Sequence, residues 1–232
     1  TPRAVGEPGG GMANAIGGSL MMVFLASLIG VPVGILGGVY LAEYGRGKRL
    51  AAAIRFTTDI LNGVPSIVVG IFVYTMLVLP MRRFSALAGA VSLSIIMIPI
   101  VMRTTEELVR LVPDTLREAA LALGIPRWRT IVSVVLRTAA GGITTGVMLA
   151  VARVMGETAP LLFTALNNRY WSFALDQPMA SLTVQIYSYA ISPFEAWHVQ
   201  AWAAALVLMA LVLLMNVVAR FFIRGGFKTA AR

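Results

Sequence analysis

No cysteine occurs among the 232 residues, which excludes disulfides, thiolate nucleophiles and Cys-based metal sites. Histidine is nearly as scarce: His198 stands alone, without the neighbouring ligands a metal needs, and reads as structural. Charge is thin as well. Asp, Glu, Lys and Arg make up 12% of the chain, about half of the roughly 25% found in soluble domains. Missing motifs narrow the chemistry further. There is no Gly-x4-Gly-Lys-Ser/Thr phosphate loop to supply an ATP site, and neither an HExxH helix nor a GxSxG elbow to support an intramembrane hydrolase.

Apolar residues fill the space. They occupy 58% of positions, and mean hydropathy is +0.83. A helix needs about 20 apolar residues to cross ~30 Å of hydrocarbon, and five stretches meet or approach that length, near 15–42, 60–80, 84–102, 139–166 and 200–223. None alternates with the period of two that a membrane barrel requires, so the expected fold is all-α: a polytopic transmembrane helical bundle of five spans. The first stretch is too long, and lacks the basic flank, to be a cleaved signal peptide. Residue 1 is Thr rather than an initiator Met, and a further span is expected to precede it.

The formal net charge of +9 sorts by loop. Arg46, Lys48, Arg49 and Arg55 follow the first span; Arg103, Arg110, Arg117, Arg127, Arg129 and Arg137 follow the third; Arg220, Arg224, Lys228 and Arg232 follow the fifth. The opposite side holds only Arg3, Arg82, Arg83 and Arg169. This asymmetry sets the beginning outside and the C-terminus in the cytoplasm, and explains the basic excess without nucleic acid.

The Gly- and Pro-rich residues 1–13 read as a flexible external lead-in, and residues 14–232 as the transmembrane domain. Pro32, within Gly30-Val-Pro-Val-Gly34, is expected to kink the first span. Asn62-Gly-Val-Pro-Ser66 carries two readings: a helix start with Pro65 in its first turn, or a broken helix whose backbone lines a pore. The external loop 167–200 is rich in aromatics that fit an interfacial belt, with a short surface helix expected near 178–190.

Residues 103–138 are too polar for lipid yet helical in pattern. Thr115-Leu-Arg-Glu118 has capping-box spacing, so a helix is expected to begin at Thr115. Leu116, Ala119, Ala120 and Leu123 then share one face, with Arg117 and Glu118 elsewhere. Gly124 is the expected left-handed terminator and Pro126 starts the next helix. Such a helix either packs on its own bundle or docks in a groove on a partner.

Span four holds Arg153 and Glu157, and a charge at the centre of a span costs about 2.5–3.5 kcal/mol on insertion scales. Gly146, Ala150, Arg153 and Glu157 fall at helical spacing on one stripe, where small residues permit close approach. Two roles fit the pair: an internal ion pair that fixes packing, or an arginine fork offered to a permeating oxyanion, with Glu157 replacing or tuning it. Thr145, Thr158 and Thr144 are weaker lining candidates, since Thr often bonds back to its own helix. An ion-coupled secondary transporter using Arg153 and Glu157 as a relay is a competing reading, but it leaves the polar cytoplasmic helix without a purpose.

Glu118-Ala-Ala120, Gly124 after three residues, and Val134 and Leu136 further on resemble the EAA loop of ABC importer permeases, with Arg137 where the family usually has Pro. Asn62-Gly-Val-Pro-Ser-Ile67, Leu116 to Trp128 and Gly156-Glu-Thr-Ala-Pro-Leu-Leu-Phe163 are similar to phosphate permeases of the PstA type. The resemblance implies a type I importer permease in the bacterial plasma membrane that is not itself an enzyme. Glu118, Ala119, Ala120 and Gly124 would form a coupling helix docked on a cytoplasmic ATPase, and Arg153, Glu157, Thr158 and Thr145 would line the substrate path. It also implies a second, related permease as heterodimer partner, two ATPase subunits that bind ATP and Mg, and an external phosphate-binding protein. Six spans are usual in that family, with the EAA loop after the fourth. Permeases for molybdate, sulfate or amino acids carry the same loop, so the ion rests on the Gly156–Phe163 run.

Overall fold

The computed structural model describes residues 10–228, with side chains through Val217. Residues 1–9 of the expected lead-in lie outside the described residues, as do the side chains of Arg220, Arg224 and Lys228. The described residues form helices and no strands: α1 Ala13–Tyr44, α2 Arg49–Gly63, α3 Ser66–Met81, α4 Ala86–Arg110, α5 Asp114–Ala122, α6 Arg127–Met155, α7 Ala159–Thr164, α8 Leu182–Ala190 and α9 Glu195–Lys228. By length and composition α1, α4, α6 and α9 can cross a membrane, and the interrupted pair α2 and α3 makes a fifth span if taken together. The expected all-α bundle stands.

Two of the expected stretches divide. The stretch 60–80 is not one helix: α2 ends at Gly63 and α3 starts at Ser66, with Pro65 in the N-cap position at φ −57° and ψ 135°. Pro65 therefore stands outside the helix, because an extended backbone there cannot continue either neighbour: the helix is broken at this point and a new one starts one residue later. The stretch 139–166 also divides, since α6 ends at Met155 and α7 begins at Ala159. In α1, by contrast, helical structure continues through Pro32.

The chain forms two compact units, and each long helix contributes to both. One holds the described residues up to Ile29, with Val64–Ile96 and Val151–Met215. Its loop 167–200 is folded onto helix ends. Leu182 N–H donates to Ser19 Oγ at 2.8 Å, and Asn14 Nδ2 donates to the Asn168 carbonyl at 2.8 Å. The N-terminus of α4, whose first amides have no partner within the helix, is satisfied from the same loop and from the residue before it: Ala86 N–H reaches the Gln177 carbonyl, Leu87 N–H the Leu175 carbonyl and Ala88 N–H the Ser85 hydroxyl. The short helix expected near 178–190 is α8, but Leu182, Thr183, Val184, Gln185 and Tyr189 are buried, so it is a core element rather than a surface one. Tyr189 stacks on Trp197 at 4.7 Å, and His198 lies 2.6 Å from the Ser192 carbonyl, bracing the turn into α9.

The other unit holds Gly30–Gly63, Met97–Ala150 and the described residues from Asn216. Its packing rests on a glycine seam. Gly30, Gly34, Gly37 and Gly38 of α1 face Met97, Val101, Met102 and Thr105 of α4, an approach that small residues at helical spacing allow. A methyl group on Gly38 would lie 2.6 Å from the Met102 carbonyl oxygen and 2.6 Å from Thr105 Cβ. Gly38→Val is therefore expected to destabilise the protein by about 1–3 kcal/mol through overpacking. The check is thermal unfolding in detergent, and an unchanged midpoint would show the seam to be loose.

Candidate functional site

The Gly156–Phe163 run owes its shape to a break. Gly156 and Glu157 turn back on the end of α6, their amides donating to the Arg153 and Val154 carbonyls at 3.0 and 3.2 Å. Pro160 in the first turn of α7 restarts the chain. The restart packs tightly on the other interrupted span: a methyl on Gly70 of α3 would come within 2.7 Å of Pro160 Cα. Thr183 of α8 pins the break by donating its hydroxyl to the Glu157 carbonyl at 2.9 Å.

Arg153 and Glu157 are thus neighbours without sharing a helix, because α6 stops two residues before Glu157. This corrects the expected four-residue stripe: Gly146 and Ala150 are buried, Arg153 is exposed, and Glu157 is in the turn. The pair is loose. Arg153 Nε and Glu157 Oε1 stand 3.8 Å apart, beyond hydrogen-bond range, with side-chain exposures of 55% and 16%. Arg153 therefore keeps most of its donor fork open, whereas a tightly paired arginine would not. Thr158 is half-buried at the head of α7. Thr144 and Thr145 donate to the Ala140 and Gly141 carbonyls at 2.8 and 2.9 Å, so both hydroxyls are spent on their own helix.

The polar segment differs from expectation in its start and in its inward face. α5 begins at Asp114 with Pro113 in the N-cap position and no side-chain cap, so Thr115 lies inside the helix and the capping box does not form. Pro113, extended at ψ 139°, already ends the preceding backbone. Asp114 places its negative charge in the first turn instead. Gly124 does adopt a left-handed φ of +77°, with Ile125 N–H reaching the Ala120 carbonyl as in a Schellman turn. Around the helix, Ala120 and Arg117 point in, while Leu116, Glu118, Ala119 and Leu123 are exposed, Leu123 to 80%.

Arg117 turns inward because a buried carboxylate awaits it. Glu43, in the π-helical end of α1, is 5% exposed and accepts from Arg117 Nε and Nη2 at 2.9 and 2.7 Å. Arg117 also donates to the Val109 and Val112 carbonyls. A second buried carboxylate, Glu106, accepts from Arg55 at 2.7 Å and forms an ion pair with Arg110 at 2.5 Å. Sequence reasoning missed both glutamates. The available signal was Glu43 itself, a lone acid closing the first apolar run.

Long apolar helices, an interrupted span and an amphipathic polar helix with an exposed apolar stripe define a helical membrane protein. The chain belongs to the family of binding-protein-dependent transport system inner membrane components, whose family pattern matches residues 30–225. It is 53% identical to the phosphate transport system permease protein PstA of Yersinia pestis, over 91% of this chain and 72% of that one. Against the protein of that name from Pasteurella multocida the identity is 51%, over 92% and 76%. Two solved structures share the fold. They are an inward-facing MetNI methionine ABC transporter (TM-score 0.72, 19% identity, covering 93% and 94% of the two chains) and an amino acid ABC transporter with histidines (0.68, 18%, 92% and 92%).

Because Thr183 holds the backbone of residue 157 and not its side chain, Thr183→Val is expected to cost about 1 kcal/mol and to speed amide exchange at residues 156–158. Glu157→Gln should leave that exchange unchanged. Equal exchange in wild type and Thr183→Val would remove the pin.

Proposed function

We propose that the chain is the permease subunit of an ATP-driven phosphate importer, forming half of the translocation path. What carries the reading is the identity of half its residues, across nine-tenths of its length, to proteins named for phosphate transport. The loosely held Arg153 supports it, since an exposed planar fork suits an oxyanion. Retention must be brief, because an ion has to leave as well as enter, and Glu157 at 3.8 Å is placed to reclaim the arginine afterwards. Thr158 is the next group along that turn, and Thr145 offers the path its methyl, its hydroxyl being committed to Gly141.

Energy comes from two cytoplasmic ATPase subunits that bind ATP and Mg; this chain itself catalyses no reaction. Glu118, Ala119, Leu116 and Leu123 offer the ATPase an exposed face, while Ala120 anchors the helix and Gly124 ends it. Closure of the ATPase dimer would favour one orientation of the permease pair, a population shift driven by differential affinity. The partners are a second, related permease and an external phosphate-binding protein, in a bacterial plasma membrane with the C-terminus in the cytoplasm.

Reconstitution with those partners is expected to give ATP-dependent phosphate uptake that excess sulfate does not suppress. Arg153→Ala should lower uptake by ~10-fold or more, as loss of a charge-assisted contact implies, with the complex still assembled. No phosphate uptake, or a preference for sulfate, would overturn the substrate; loss of assembly would make Arg153 a packing residue. Glu118→Lys is expected to weaken ATPase co-purification, and unaltered association with unaltered uptake would remove Glu118 from the docking face.

A further inference from the structure

The end of α1 is gripped from every side by the polar segments. Three successive carbonyls that a helix end leaves without partners each receive an arginine: Leu41 from Arg55 at 2.8 Å, Ala42 from Arg46 at 3.3 Å and Glu43 from Arg127. Arg127 also lies over the Tyr44 ring, 5.1 Å from its centroid. The side chain of Glu43 takes Arg117 from α5. Both flanks of the Gly124 turn therefore hold the same residue, Arg117 by the carboxylate and Arg127 by the backbone.

The surroundings allow movement. Tyr40–Tyr44 and Ile131–Val135 are π-helical, each an extra residue accommodated in the ladder, and α5 packs on the second of them. A cavity of about 220 Å³ lies beside the pair, lined by Glu43, Arg46, Asp114, Arg117 and Arg127 among others. Apolar contacts among Ala42, Val109, Val112 and Val135 complete the joint.

We propose that Glu43 is a positioning residue that carries displacement of α5 into the first long helix. This rests on the reading of α5 as the ATPase-docking helix. Arg117 cannot leave Glu43 without stranding a buried carboxylate, so pulling α5 draws the Glu43 turn with it and leaves the π-helical register to absorb the shift. Asp114, exposed at 63% and 3.1 Å from Arg117, contributes orientation only.

The test uses the full complex in lipid nanodiscs, with amide exchange read on residues 35–44 before and after adding a non-hydrolysable ATP analogue. Wild type and Asp114→Asn are expected to change exchange there by about 5-fold or more. Glu43→Gln and Arg117→Met should still co-purify the ATPase but lose that response, and uptake per ATP should fall with it. Arg117→Lys, which keeps the charge and loses the fork, should restore part of the response. A wild-type segment that does not respond, or a Glu43→Gln segment that responds like wild type, would overturn the proposal. Exchange does not depend on the transported ion, so a wrong substrate leaves it intact. An ATPase that fails to bind wild type would end the docking reading and this inference together.

Discussion

The rest of the polar end depends on one buried ion pair, Glu43 with Arg117. Removing a carboxylate and a guanidinium from water costs several kcal/mol for each ion, and the cost is offset only when donors and acceptors are satisfied. Arg117 meets that condition with two bonds to the carboxylate and others to the Val109 and Val112 carbonyls and to Asp114. The pairing and the burial of Ala120 fall on the same side of α5. Leu116, Ala119 and Leu123 face out opposite them, and an interaction 74 residues apart in sequence ties that inward side to α1.

Glu106 uses the same chemistry with less symmetry. Arg55 and Arg110 both approach Oε1, while Oε2 is buried without a hydrogen bond. Arg55 joins this carboxylate to the Leu41 carbonyl, two residues from Glu43. α1, α2 and α4 are thereby tied at one level by guanidinium groups, and the glycine seam between α1 and α4 brings their backbones close enough for short bridges.

Much of this was legible in the sequence. Hydropathy located the spanning helices, Gly124 and Pro126 marked the turn, and the EAA and Gly156–Phe163 runs pointed to the family that residues 30–225 match. What escaped shares a physical cause. Hydropathy does not register breaks made from Gly, Thr and Pro inside apolar runs, so the ends of α2 at Gly63 and α6 at Met155 were invisible to it. An Ala-rich amphipathic pattern does not say which stripe packs inward when the decisive partner is a distant carboxylate. Thr115 looked like a cap because its spacing to Glu118 was right, yet Pro113 two residues earlier had already set the start.

The contrast between the two Arg–Glu pairs bears most directly on function. Arg117 is 12% exposed and sets two N–H donors on Oε1 of its carboxylate; Arg153 is 55% exposed and 3.8 Å from its own. A bond of the first kind resists separation because breaking it leaves a charge stranded in low dielectric, which suits a joint that must hold while helices move. The second kind, half exposed and already outside hydrogen-bond range, loses little if another anion takes the place of Glu157. Burial, more than residue type, therefore suits these arginines to the two tasks proposed for them, and the backbone break at Gly156, by taking Glu157 out of the helix, leaves Arg153 the looser of the two.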